Sequence, residues 1–178
     1  MGVALAMGML GGCSGGAHKP TTLPTTGPSA SSPIISPTPS AEAEARSSAL
    51  AAYRGMWADM ASAATTSDSK SPLLARHATG TALAQIVQSL YADKQAGLIS
   101  RGEPALSPQI SSLDISKQPA EAVISDCGDD TKWLKYEKST GKLQNKQQGG
   151  RHRISADVYG LNGSWRVVSF QLKGVGTC

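Results

Sequence analysis

A chain of 178 residues has room for one ordinary domain, but composition shifts so sharply along it that the folded part is shorter than the whole. The net charge of +4 is concentrated locally: Lys132, Lys135, Lys138, Lys142, Lys146, Arg151 and Arg153 face only Glu137 across their span. Trp133 and Tyr136 are the only aromatics there, too few to act as stacking platforms, so a nucleic-acid partner is set aside.

Met1 to Gly12, MGVALAMGMLGG, is an uncharged run of small and apolar residues. At about 1.5 Å per helical residue it is too short for a bilayer core of about 30 Å, and it suits the apolar centre of a secretory signal peptide. Leu10, Gly11, Gly12 and Cys13 resemble a bacterial lipobox: an aliphatic residue, two small residues and a cysteine to be acylated. The resemblance implies diacylglycerol joined to Cys13 by a thioether, cleavage after Gly12, and anchoring to the outer face of the cell membrane by two acyl chains. No Lys or Arg precedes the apolar run, and a start a few codons upstream of Met1 would restore the usual basic segment.

Residues 14–40, SGGAHKPTTLPTTGPSASSPIISPTPS, contain only Leu23, Ile34 and Ile35 as large apolar residues. Three such side chains cannot offset the entropy of ordering about 27 residues. The segment reads as a disordered tether with a reach of roughly 30 Å. The chain thus divides into a signal segment and lipobox over 1–13, a tether over 14–40 and a folded domain over 41–178.

Leu50, Tyr53, Trp57, Met60 and Ala64 recur at spacings of three and four, which predicts a helix over about 41–64. Glu42 and Glu44 near its start suit the helix dipole. Ser71 followed by Pro72 reads as a cap and first turn, so PLLARHA forms a short helix. A longer helix follows Thr79, with Leu83, Ile86, Val87, Leu90 and Tyr91 inward and Gly97 as its terminating residue.

After Gly102 the period changes from 3.6 to 2. QISSLDIS, AEAVISDC, TKWLKYEK, RHRISADVY and SWRVVSFQLKG read as strands separated by turn formers, with Asn162–Gly163 a strong hairpin signal. The inward sets are Ile154, Ala156 and Val158 in one strand, and Val168, Phe170 and Leu172 in the next. Helices first and an antiparallel meander after them predict an α+β domain, its N-terminal helices packed on one face of a curved sheet.

That order resembles the nuclear transport factor 2-like cone fold. Residues 76–178, through RHATGTALAQI, LISRGEPAL, SDCGDDTKWLKYEKSTGK, GGR and GSWRVVSFQLKGVGTC, are similar to a family of small actinobacterial lipoproteins and secreted proteins of that fold. The resemblance implies a fold and a cell-surface location, and no activity.

An exported domain with two further cysteines, Cys127 and Cys178, most simply joins them. Two cysteines and a stray histidine make too small a ligand set for a metal site. Asp126, Asp129 and Asp130 around CGDD lack the closing glutamate of a calcium loop and read instead as a hairpin turn whose aspartates accept hydrogen bonds from nearby backbone groups. Ser67 to Lys70 and Ser139 to Lys142 match S-x-x-K, but the companion S-D-N and K-T-G motifs are absent.

Two functional readings remain from different classes. The first is a non-catalytic domain that binds a small ligand, a cell-wall polymer or a protein partner, through a cavity or through a basic surface of Lys135, Lys138, Lys142, Arg151 and Arg153. The second is an isomerase- or cyclase-like enzyme, as in relatives of the resembled fold that hold an acid or histidine in the cone, with Tyr53, Trp57, His77, Tyr91 and Asp114 lining the cavity. No aligned motif carries catalytic residues over, and fold alone does not license function. The first reading is therefore preferred, with no cofactor, no metal and no catalytic residue assigned.

Overall fold

In the computed structural model residues 39–144 and 149–178 are described. The signal segment, the lipobox with Cys13, residues 14–38 of the expected tether and Lys146 lie outside the described residues.

Helix α1 spans Pro39–Ala64, so Pro39 and Ser40 belong to the helix and not to the tether. Its buried side is formed by Ala45, Ala49, Ala52, Tyr53, Met56, Trp57, Asp59, Ala61, Ala63 and Ala64. Leu50 and Met60 of the expected stripe sit only half-buried at its margins. The alanines bring the helix close to its neighbours, and the three large side chains carry most of the apolar area removed from water. Helix α2 is a single turn, Leu74–His77, beginning after the Ser71–Pro72 start signal because Ser71 to Leu73 form a turn closed by Leu74 N–H donating to Ser71 O.

Helix α3 spans Gly80–Gln95 and buries Ala82, Ile86, Leu90 and Asp93, one stripe at spacings of four, four and three. Tyr91 lies about 100° around the axis from Leu90 and is 55% exposed, so the expectation that it points inward is corrected. Gly97 ends the helix with φ at 67° and its N–H on Lys94 O, the left-handed closure that glycine makes without a Cβ penalty.

Among the described residues six strands follow: β1 Leu98–Arg101, β2 Gln109–Asp114, β3 Ala120–Asp129, β4 Leu134–Glu137, β5 Arg151–Leu161 and β6 Ser164–Leu172. The antiparallel sheet β2-β3-β5-β6 is a meander from which β4 is looped out, to pair with β1 as a separate two-stranded ribbon. Strand β1 was not expected. Its four residues are too few to show a period of two, and its partner lies far along the chain.

In β5 the residues Ile154, Ala156 and Val158 face the core, joined there by His152. In β6 the inward set differs from the expected Val168, Phe170 and Leu172. Val167 is fully buried beside Phe170, whereas Leu172 is 47% exposed. The reason is a bulge: Val158 pairs with Val167 but Asp157 pairs with Ser169, so Val168 is the extra residue and alternation resets across it. The β5–β6 turn has φ of 51° at Asn162 and 77° at Gly163, the pair of left-handed residues that the Asn-Gly signal predicts.

The fold is thus α+β. Helices α1 and α3 pack on the sheet, and Trp57 stands at the centre of the shared core, edge-on to Tyr53, Trp133 and Phe170 at ring separations of 6.3, 6.1 and 5.5 Å. Cys127 of β3 and Cys178 form a disulfide with Cα atoms 5.9 Å apart. It fastens the segment after β6, whose Lys173 and Gly176 amides donate to Arg153 O and Arg151 O of β5.

Candidate functional site

The helices and sheet are joined through polar groups as well as apolar ones. Alternation along β3 turns Asp126 inward beside Ala122 and Ile124, and it is 5% exposed. Its Oδ2 accepts the Tyr53 hydroxyl at 3.0 Å and its Oδ1 accepts the Ser107 amide at 2.8 Å, so both oxygens of the buried carboxylate are engaged. Burial, and then the Asp126 charge, push the Tyr53 phenol well above its usual range, while the Trp57 indole acts weakly in the opposite sense.

A pH dependence follows from that upward shift. Below about pH 10, where a free phenol ionises, folded and unfolded chains hold the same proton and the contribution is fully present. Above it the unfolded chain sheds a proton that the folded chain keeps, so stability falls by up to about 1.4 kcal/mol per pH unit from this group. Urea unfolding between about pH 9 and pH 11 should show this slope, and Tyr53→Phe should flatten it by that amount. Equal slopes in the two proteins would contradict the assignment.

A second constellation reaches the surface. Asp59, one face of α1 away from the core centre, is 4% exposed, yet it receives two partners from the α2 turn. Arg76 Nη2 donates to Oδ1 at 2.7 Å, with Nε at 3.5 Å from Oδ2, and His77 Nδ1 lies 2.7 Å from Oδ2. Gly55, one turn before Asp59, makes room for the imidazole. A Cβ there would stand 2.7 Å from three ring atoms of His77. Beside these residues is an open groove of about 320 Å³ bordered by Ser48 of α1, Arg76, His77, Ser164 and Trp165.

The five residues expected to share a cavity are not brought together. Tyr53 and Trp57 are packed inside the core, His77 borders the surface groove and Tyr91 points to solvent. Asp114, at the end of β2, accepts the Ser116 amide and hydroxyl at 3.0 and 2.6 Å, bonds that lower its pKa. The five residues of the expected basic surface are all exposed, and three of them have partners. Lys135 is tied to Asp93 at 2.5 Å, Arg151 Nε donates to Cys127 Sγ at 3.3 Å, and Arg153 reaches Thr177 O at 3.4 Å. Lys138 and Lys142 lie on the turn after β4.

Of the CGDD aspartates only Asp129 serves a local turn, accepting the Thr131 amide, which with the Thr131 side chain lowers its pKa; Asp130 accepts the amide of Gly150 across the fold, Asp126 is buried on Tyr53 and Ser107, and β4 pairs with β1, so the expected hairpin is corrected. Asp130 also receives His152 Nε2 at 3.0 Å. Among the described residues no cluster of three or more potential ligands could hold a metal ion. Ser67 of the first S-x-x-K match is buried and donates its hydroxyl to Leu98 O at 2.5 Å.

Sequence reasoning missed Asp59, Arg76 and Ser48 as members of one site. The available signal was the spacing of Ser48, Ala52, Gly55 and Asp59, which places small and polar residues along one helix face, followed by two cationic or titratable residues in adjacent positions of the next helix.

No family model matches the chain, and no curated protein matches it. Among solved structures, the intermembrane space region of chloroplast protein ARC6 is similar at 15% identity and a TM-score of 0.47, covering 71% of this chain and 96% of that one. At that level the likeness assigns neither fold family nor function.

Proposed function

We propose that the chain is a lipid-anchored extracytoplasmic protein whose α+β domain is a non-catalytic binding module, held off the membrane by the Ser, Thr and Pro-rich tether. The observation that carries the reading is the Cys127–Cys178 bridge. Disulfides persist in oxidising compartments, so the bridge agrees with export, which the lipobox-like Leu10 to Cys13 requires independently. Among the described residues no helix is long and apolar enough to cross a membrane. In this reading the attachment is the acylated Cys13.

The finer fold reading belongs to the same proposal. Helices α1 and α3 on one face of a four-stranded sheet carrying bulges in β2–β3 and β5–β6 suit a nuclear transport factor 2-like cone, and kinship with the small actinobacterial lipoproteins goes with it. In place of an open interior, the Trp57, Trp133 and Phe170 rings occupy the centre. Ligands or partners of the module are accordingly taken at its surface, either a small molecule, a cell-wall polymer or a protein.

Metabolic labelling with a palmitate analogue tests the anchor. The label should enter the wild-type protein and be absent from Cys13→Ser. No incorporation, or incorporation that survives the substitution, removes the anchored reading.

A further inference from the structure

We propose that the groove between α1, α2 and the β5–β6 turn is a saccharide-binding site, in which His77 Nε2 and the Arg76 guanidinium read two adjacent hydroxyls while Trp165 covers the apolar face of the sugar. This deepens the binding role proposed above and rests on it.

The chemistry starts from Asp59. A carboxylate only accepts, so its 2.7 Å contact places the His77 proton on Nδ1 and leaves Nε2 as a bare acceptor in the neutral ring. Nε2 has no partner among the described residues, and the side chain is 33% exposed. Arg76 commits Nη2 and Nε to the same carboxylate, which leaves Nη1 with its N–H donors available. An acceptor and a donor thus sit side by side, held by one buried group. A vicinal diol matches them, one hydroxyl donating to Nε2 and the other accepting from Nη1.

Charge decides against other ligands. The Arg76 cation is offset by Asp59 at 2.7 Å, so that pair carries no net charge. A phosphate, a carboxylate or an amine gains no net attraction from that pair. A neutral hydroxylated ligand loses nothing by that. The Ser48 and Ser164 hydroxyls add further partners, and Trp165 supplies an aromatic surface with one polar edge. The groove's volume of about 320 Å³ is at the low end for ligand sites, and its openness to solvent suits one unit of a longer chain. The His77 ring packs where Gly55 lacks a side chain, so the acceptor is held in place before the ligand arrives.

The test uses the full-length protein in a detergent without sugar groups, with the Trp165 indole and His77 imidazole NMR signals as readout. Maltotriose, cellotriose and mannotriose, each to about 10 mM, are the probes, with inorganic phosphate as the competing chemistry. At least one trisaccharide should shift both signals saturably, and Arg76→Lys should weaken that binding by about tenfold or more. Ser164→Trp, placed at an exposed position of the groove, should abolish it while leaving the thermal unfolding midpoint in place. No shift with any trisaccharide, a shift that survives Ser164→Trp, or saturation by phosphate in their place overturns the proposal. A failed titration with palmitate still on Cys13 removes the saccharide site alone, and a lost label with intact sugar binding removes the anchor alone.

Discussion

Trp57→Ala is expected to destabilise the folded domain by about 3–5 kcal/mol, a fall in Tm of about 10 °C or more. Three contributions act together at this position. The side chain is 5% exposed, so nearly all of its apolar area returns to water on unfolding. Its ring makes edge-on contacts with Tyr53, Trp133 and Phe170, each worth about 0.5–1.5 kcal/mol beyond burial. The void left by alanine lies between a helix and a sheet, and the Tyr53–Asp126 bond holds the two apart and limits collapse. Tyr91→Ala, at a 55% exposed position, is the control and should change stability by no more than about 0.5 kcal/mol. Comparable losses in the two variants would show that Trp57 is not the centre of the core.

Cys178→Ser should produce the second large effect. The bridge spans a sequence separation of 51, and closing a loop of that size stabilises by about 4 kcal/mol in the chain-entropy model, an upper figure. Without the bridge the last six residues keep chiefly the Lys173 and Gly176 amide bonds and the Thr177 contacts to Arg153. Their amides should then exchange with solvent well before those of β5. Reductant added to the wild type should reproduce the loss and should leave Cys178→Ser unchanged. Equal stability of wild type with and without reductant would mean that the bridge contributes nothing.

Where a single element decided its own structure, the sequence was legible. The apolar stripe of α1, the glycine closing α3, the Asn162–Gly163 turn and the alternation of β5 each follow from periods and turn chemistry within a few residues. Elements decided by distant partners were not. Strand β1 exists because β4 leaves the meander to pair with it, and no local period in LISR announces that. The β6 faces changed because one bulge at Val168 resets a period-two pattern, and an extra residue is invisible until the partner strand fixes the register.

The site followed the same division. His77 was visible as a histidine on a helix, but its meaning depends on Asp59, 18 positions earlier, and on the absent side chain of Gly55. Lys135 is exposed as a basic surface requires, but its ammonium is paired with Asp93 of α3, 42 positions earlier. Charge counted along a chain says little about charge displayed on a surface, because helix and strand partners neutralise it from elsewhere.

The central claim joins two features: an acylated Cys13 and an oxidised Cys127–Cys178 pair on the same exported chain. Intact mass spectrometry of protein recovered from membranes and alkylated without reductant reads both at once. The account predicts a mature chain beginning at Cys13, carrying the diacylglyceryl mass and no alkyl groups, with two alkyl groups added only after reduction. An unmodified Cys13, or two thiols alkylated before reduction, would contradict it.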